Sequence, residues 1–308
     1  MAMFLSAIRT PEHTATDGRC VHVGACMLTG GSSHQQLDRR RHLTFPALLI
    51  PGRWDVVPDG PAFTYRRTND ATAPFGPSEW HLGYEYCNGT SQSPINLSAS
   101  KQQSRYLPIK FYPAACEAQR LNVTSGDHFF KVNLEGCDEV PSVKFQGGIY
   151  EVLQMHIHSA SEHTIGGAHH DAEVHLVHVK EGTDDELLVI GVLMDASEHG
   201  ENMVIKDVWD TVKAAEGLSL PKAKAMIDVY DLLPATPSFA TYSGSLTTPP
   251  CTEGVTWIVM TDTTLISEFQ LQEYRYYVAG LENSMVNEFG DTNRPTQPHN
   301  ARDIKYSR

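Results

Sequence analysis

Seven histidines, His156, His158, His163, His169, His170, His175 and His178, fall within 23 consecutive residues of a 308-residue chain that has 15 in all. The text around them alternates. In Leu153-Gln154-Met155-His156-Ile157-His158 the period is two, so a strand would put Gln154, His156 and His158 on one face and Leu153, Met155 and Ile157 on the other. Glu173 to Val179 alternates as well: Glu173, His175, Val177 and Val179 share a face, while His178 points away with Val174 and Leu176. With the two strands side by side, His156, His158 and His175 form a three-nitrogen face with one position open. That is the geometry of a catalytic rather than a structural zinc site.

An H-x-H on a strand also fits packed or surface histidines, and imidazole suits Cu, Fe and Ni too. A ligating imidazole needs its other ring nitrogen held. Gln154 and Glu173, each two residues from a ligand on the same face, are placed to accept those N–H bonds; the alternative for Glu173 is a solvated strand charge. His163, His169, His170 and His178 read as structural or surface residues, with Gly166 and Gly167 marking an exposed turn.

Other runs extend the pattern. Ser142 to Phe145, Ile149 to His158, Glu173 to Lys180 and Leu187 to Met194 are apolar, often alternating, and bounded by turn residues, as strands are. Two segments have helical spacing instead. Val204, Val208 and Val212 recur within Glu201 to Glu216, ahead of Gly217. Ser267 and Gln270 have capping-box spacing before Leu271, Tyr274 and Val278, and Gly280 closes that helix. The expected fold is mainly β (α+β): one domain over residues 61–308, built on a large twisted, mostly antiparallel sheet with a few peripheral helices. Residues 1–60 read as a separate leader, disordered or targeting. They hold Arg39, Arg40 and Arg41, then an apolar stretch from Leu43 to Ile50, an order that suggests a secretory signal but lies too far in and lacks a clean cleavage site.

Charge narrows the function. Lys and Arg number 24 against 37 Asp and Glu, a net of 24 − 37 = −13, which argues against a binder of nucleic-acid phosphates. No run approaches the roughly 18 apolar residues of a membrane helix.

Several motifs then occur in register: Q-M-H-I-H-S-A-S-E-H-T, E-V-H-L-V-H, Y-S-G-S-L-T-T-P-P-C-T-E-G-V-T-W, S-Q-S-P-I-N-L at Ser91 to Leu97 and N-R-P-T-Q-P at Asn293 to Pro298. In order and spacing the chain from about residue 61 resembles the α-class carbonic anhydrases. The resemblance implies reversible hydration of carbon dioxide by a zinc held on His156, His158 and His175, with Gln154 and Glu173 behind the ligands. It implies that Thr247 donates its hydroxyl proton to Glu162 and so accepts one from the attacking hydroxide, that Thr248 lines the site, and that Val177, Val189, Leu246 and Trp257 form the apolar wall for carbon dioxide. Three neutral ligands leave zinc its full charge, so a bound water ionises near neutral pH, behaviour for which carbonic anhydrase is itself the standard example.

Turnover also needs a proton carried to buffer, a task for a histidine of near-neutral pKa. In S-G-D-H-F-F-K-V, His128 lies four residues before Val132, as the family's shuttle histidine does before its Val. Asp127 stands where the family usually has Gly, and Phe129 and Lys131 follow. Tyr65, in F-T-Y, corresponds to the Tyr of the proton-path water network. Aromatic residues that many members carry after the histidine motifs are Ser159 and Val179 here. The retention of all three ligands counts against the rival reading, a catalytically silent binding module of the same fold; a metal-storage protein would leave Glu162, Thr247 and the wall unexplained.

Six cysteines stand at 20, 26, 87, 116, 137 and 251. Extracellular members pair the cysteines found here as Cys87 and Cys251. Cys116 and Cys137 straddle the turn near Gly126 and admit either a cross-strand bridge or two buried thiols. Paired cysteines and three sequons, at Asn88, Asn96 and Asn122, favour a secreted or lumenal setting, against the absence of an orthodox signal peptide. The expected partner is the small-molecule substrate; nothing in the sequence fixes an oligomeric state.

Overall fold

The computed structural model describes residues 63–66, 75–99, 107–125, 130–134, 136–215, 226–280, 286–287 and 289–307. The leader, His128 and the helix stop at Gly217 lie outside them. Among the described residues, no helix is long and apolar enough to cross a membrane.

Among the described residues one sheet of eleven strands dominates. In chain order they are β1 (Ile109–Tyr112), β2 (Asn122–Ser125), β3 (Phe130–Asn133), β4 (Ser142–Phe145), β5 (Gly148–His158), β6 (Ala172–Lys180), β7 (Leu187–Ser197), β8 (Phe239–Ser245), β9 (Glu253–Met260), β10 (Thr264–Ser267) and β11 (Lys305–Tyr306). Along the main path the order is β11-β8-β9-β7-β6-β5-β3-β2, with β10 on β7 and with β1 on β4, which pairs β5. Most pairs are antiparallel as expected, but β7 runs parallel to both β9 and β10, so the sheet is mixed. Two helices flank it, α1 (Met203–Ala215) and α2 (Glu268–Ala279). The expected capping box at α2 forms: Gln270 N–H donates to Ser267 Oγ at 3.1 Å and Gln270 Oε1 accepts from Ser267 N–H at 3.1 Å.

The middle of the sheet is buried on both faces, which is why β6 and β7 read as nearly unbroken apolar runs. One face carries the main core, where Val174 and Leu176 meet Met155, Ile157, Trp209 and Leu271. The other carries a second cluster with Val177, Val179, Val189 and Trp257. The β5 reading needs one correction. Leu153 does not join Met155 and Ile157 but packs against the second cluster, because a bulge opposite the Val177–His178 step shifts the register. One extra residue in a strand reverses the parity of what precedes it.

His178 belongs to the main core. It is fully buried, stacked on Tyr230, and its ring nitrogens meet Leu176 O at 2.8 Å and Tyr230 Oη at 3.0 Å. Burial pushes its pKa down from 6.5 to about 4, so the folded state holds it neutral. A depressed histidine pKa gives stability that is complete above the unfolded value and is lost as pH falls towards the folded one. Between pH 7.5 and 5 the loss from this group is about 2 kcal/mol. Denaturant titrations should therefore show the parent losing that much more than His178→Gln; parallel pH profiles would refute the assignment.

Candidate metal centre

Strand register assembles the site. His156 pairs with His175, His158 with Glu173, and Gln154 with Val177 across β5 and β6, while Gly191 on β7 stands opposite His175 from the other side. Cross-strand partners sit about 5 Å apart, so partners separated by up to 23 positions in sequence become one patch. Gly191 is required by close approach: a Cβ there would lie 2.7 Å from Glu173 Oε1.

The three histidines converge. Their facing nitrogens lie within 4.8 Å of one another, and His156 Nε2 is 3.3 Å from His175 Nδ1. Two nitrogens bound to one tetrahedral zinc are separated by about 3.3 Å. Every outward nitrogen meets an acceptor: His156 Nδ1 reaches Gln154 Oε1 at 2.8 Å, His158 Nδ1 reaches Thr292 O at 2.7 Å, and His175 Nε2 reaches Glu173 Oε1 at 2.9 Å. Acceptors outside put the imidazole protons outside, so lone pairs point inward. Lone pairs 3.3 Å apart repel one another unless a cation lies between them. Burial, followed by the neighbouring His175, lowers the His158 pKa to about 3, which keeps that ring neutral as a ligand must be. The donor set therefore fits zinc. A second group, His163, Glu173 and His175, is instead a carboxylate receiving N–H bonds from two imidazoles.

Glu173 is fully buried. Burial alone would push its carboxyl up, but His163 and His175, by charge and hydrogen bonds, hold it well below the usual range. Glu162, also fully buried, lies 3.6 Å from His158 Nε2 through Oε2 and accepts the Arg294 N–H on Oε1 at 2.8 Å. Burial raises it to about 7, opposed by His175, a hydrogen bond from Thr247 and the Arg294 N–H. A cation among the three imidazoles would favour its ionised form.

The structure brings most expected residues together. Thr247 is buried, and its hydroxyl favours the ionised form of Glu162; Thr248, next in the chain, is half-buried. Val177, Val189 and Trp257 are buried in one cluster, Leu246 packs against it, and the Trp257 ring is 4.9 Å from that of His175. Tyr65 is buried against Trp80, with Glu162 and Arg294 as its charged neighbours. Cys87 and Cys251 are bridged, and so are Cys116 and Cys137. The first bridge lies close to Thr247, since Cys251 N–H donates to Thr248 O at 2.8 Å and Gln92 Nε2 donates to Cys251 O at 3.0 Å.

Sequence reasoning missed four contributors. Thr292 holds His158 through its carbonyl, and Arg294 holds Glu162 through its N–H; its guanidinium, 1% exposed as a residue, donates to Gln92 Oε1 and Ser93 O at 2.9 and 2.8 Å. Backbone contacts leave no signature of residue type, although the N-R-P motif lies beside them. His163 and Tyr242 stand behind Glu173, within motifs quoted for other reasons.

Comparisons agree with this geometry. Residues 75–308 match the family model of the eukaryotic-type carbonic anhydrases. Carbonic anhydrase 7 of Mus musculus is 32% identical over 256 residues, spanning 75% of this chain and 94% of that protein. A solved hyperthermostable carbonic anhydrase from an active hydrothermal vent chimney is 33% identical with a TM-score of 0.62, over 80% of this chain and all of the other. The α-carbonic anhydrase of Thermovibrio ammonificans, solved with sulfanilamide, is 29% identical with a TM-score of 0.61, over 80% of this chain and all of the other. With three convergent imidazoles on paired strands and a family match across three quarters of its length, the chain belongs to the eukaryotic-type carbonic anhydrase family, the α-class carbonate dehydratases that interconvert carbon dioxide and bicarbonate.

Proposed function

We propose that this chain is a catalytically active zinc enzyme, with the ion held by His156 Nε2, His158 Nε2 and His175 Nδ1. The reading is carried by three imidazoles whose outward nitrogens all face acceptors, while their inner nitrogens converge within 4.8 Å, two of them at the 3.3 Å of a tetrahedral site. When bound, the ion supplies a Lewis acid that makes a water at its open position nucleophilic near neutral pH, chemistry for which this family is the standard example.

The protein's own groups do the rest. Glu162 accepts a hydrogen bond from the Thr247 hydroxyl, so the Thr247 oxygen can only accept from a group at the open position. That selects a protonated nucleophile and orients its lone pair. Val177, Val189, Leu246 and Trp257 offer carbon dioxide an apolar surface and no hydrogen-bond competitor, while the anionic product is less well suited to it. Thr248 lines the same space. Tyr65 belongs to the proton path, and His128, two residues ahead of β3, carries the proton to buffer. His128→Ala should slow turnover in weak buffer and recover in part with added imidazole; an unchanged buffer dependence would reject the shuttle.

The two disulfides support a secreted or lumenal, extracellular-type member, and the sequon residue Asn88 is exposed. Residues 1–60 then serve as a leader to the catalytic domain. Metal analysis with a carbon dioxide hydration assay tests the central claim. One zinc per chain with hydration activity is expected; intact protein holding one zinc without activity would make it a silent module.

A further inference from the structure

Lys131 follows the shuttle motif, and the mechanism above gives it no part. It lies on β3, whose pairing with β5 sets Val132 opposite Met155 and Asn133 opposite Gln154. Val132 and Met155 belong to the main core. Alternation therefore turns Lys131 and Asn133 to the other face, the one that carries Gln154 and the three histidines. Continued by one step, the same register sets Lys131 level with His156. Cross-strand neighbours at about 5 Å are within the reach of a lysine's four-carbon stem. Lys131 is half-buried, the state of a lysine whose stem packs along the strand while its ammonium stays in water.

The charge around the ligands makes a cation there consequential. Glu162 and Glu173 are fully buried beside the ligands, and in their ionised forms they offset the two charges of a bound zinc. The chain as a whole carries −13. Bicarbonate, an anion, thus meets a centre without net charge inside a protein that repels it, so a local cation decides the encounter. Arg294 is not that cation, because its guanidinium is engaged with Gln92 and Ser93. From β6 and β7 the same space receives the apolar Val177 and Val189. Among the described residues, the next lysine on this face by register is Lys144 of β4, opposite Ile149. That is seven residues along β5 from His156, about 23 Å.

We propose that Lys131 is the anion-receiving residue of the site, a specificity determinant that draws bicarbonate and other small monovalent anions to the metal position. This rests on the zinc reading above. The two directions of the reaction then use different groups: the uncharged substrate meets the wall of Val177, Val189, Leu246 and Trp257, and the charged one meets Lys131.

The test uses the zinc-loaded full chain and reads binding directly, as calorimetric affinity for thiocyanate. Lys131→Gln should weaken thiocyanate binding by about fivefold, the scale of one unit charge acting on another at close range through water. Lys131→Met, which keeps the aliphatic stem, should lose as much, and Lys131→Arg should keep near-parental affinity. Lys144→Gln is the control: it removes the same charge from the same face and should bind thiocyanate as the parent does. KM for bicarbonate dehydration should rise together with the thiocyanate dissociation constant across the series. Parental thiocyanate affinity in Lys131→Gln, or equal weakening in Lys144→Gln, overturns the proposal; should Lys131→Gln not fold, Lys131→Met decides by the same two outcomes. Metal analysis keeps the two readings apart. A parent holding no zinc refutes the zinc reading, whereas zinc-loaded protein whose anion affinity ignores Lys131 refutes this proposal alone.

Discussion

Alanine in place of His156, His158 or His175 is expected to strip the bound ion on dialysis and to reduce carbon dioxide hydration by at least about 10³-fold, the several kcal/mol of transition-state stabilisation that a metal supplies. The same change at His169 or His170 should leave both intact. His169 is exposed and bonds Ser161 O at 2.6 Å, and His170 pairs with Asp195 at 2.7 Å, away from the convergent nitrogens. The contrast makes the prediction sharp, because all five lie within 20 residues of one another and a diffuse metal affinity would spread the loss among them. Metal content and activity that fell alike across the five would defeat the assignment of three ligands.

Removing the Cys87–Cys251 bridge should give the largest loss of stability. It closes a loop of 164 residues, for which the chain-entropy account gives about 5 kcal/mol. The Cys116–Cys137 bridge closes only 21, for about 3 kcal/mol. Denaturant midpoints of the two double alanine variants should fall in that order. Only the first should also lower activity, because Cys251 is tied by hydrogen bonds to Thr248 and Gln92 beside Thr247. The parent chain, unfolded without reductant, should show no free thiol at positions 87, 116, 137 or 251. Equal stability losses, or a reduced chain of parental activity, would remove the link between this bridge and the Thr247 loop.

Much of this was legible before any coordinates. Two-residue periodicity identified β5 and β6 and the inward parity of His156, His158 and His175, because side-chain direction in a strand follows directly from sequence position. The capping box of α2 was equally local. Leu153 was misplaced for the same reason: its direction depends on a bulge set by pairing with β6. The readings of Glu162, Thr247 and the apolar wall came from motif resemblance, since 85 residues separate Glu162 from the hydroxyl that meets it.

By itself, then, the sequence determined which residues could face a metal, since alternation is a property of the strand alone, and its motifs determined the family. Only the tertiary structure decided which proton each imidazole carries. Those protons are set by groups brought from elsewhere: the Thr292 carbonyl 134 residues from His158, the Tyr242 hydroxyl 79 residues beyond His163, and a glycine on β7 that leaves room for Glu173. Hydrogen-bond direction depends on what stands opposite in space, and strand register, rather than the order of residues, fixes that.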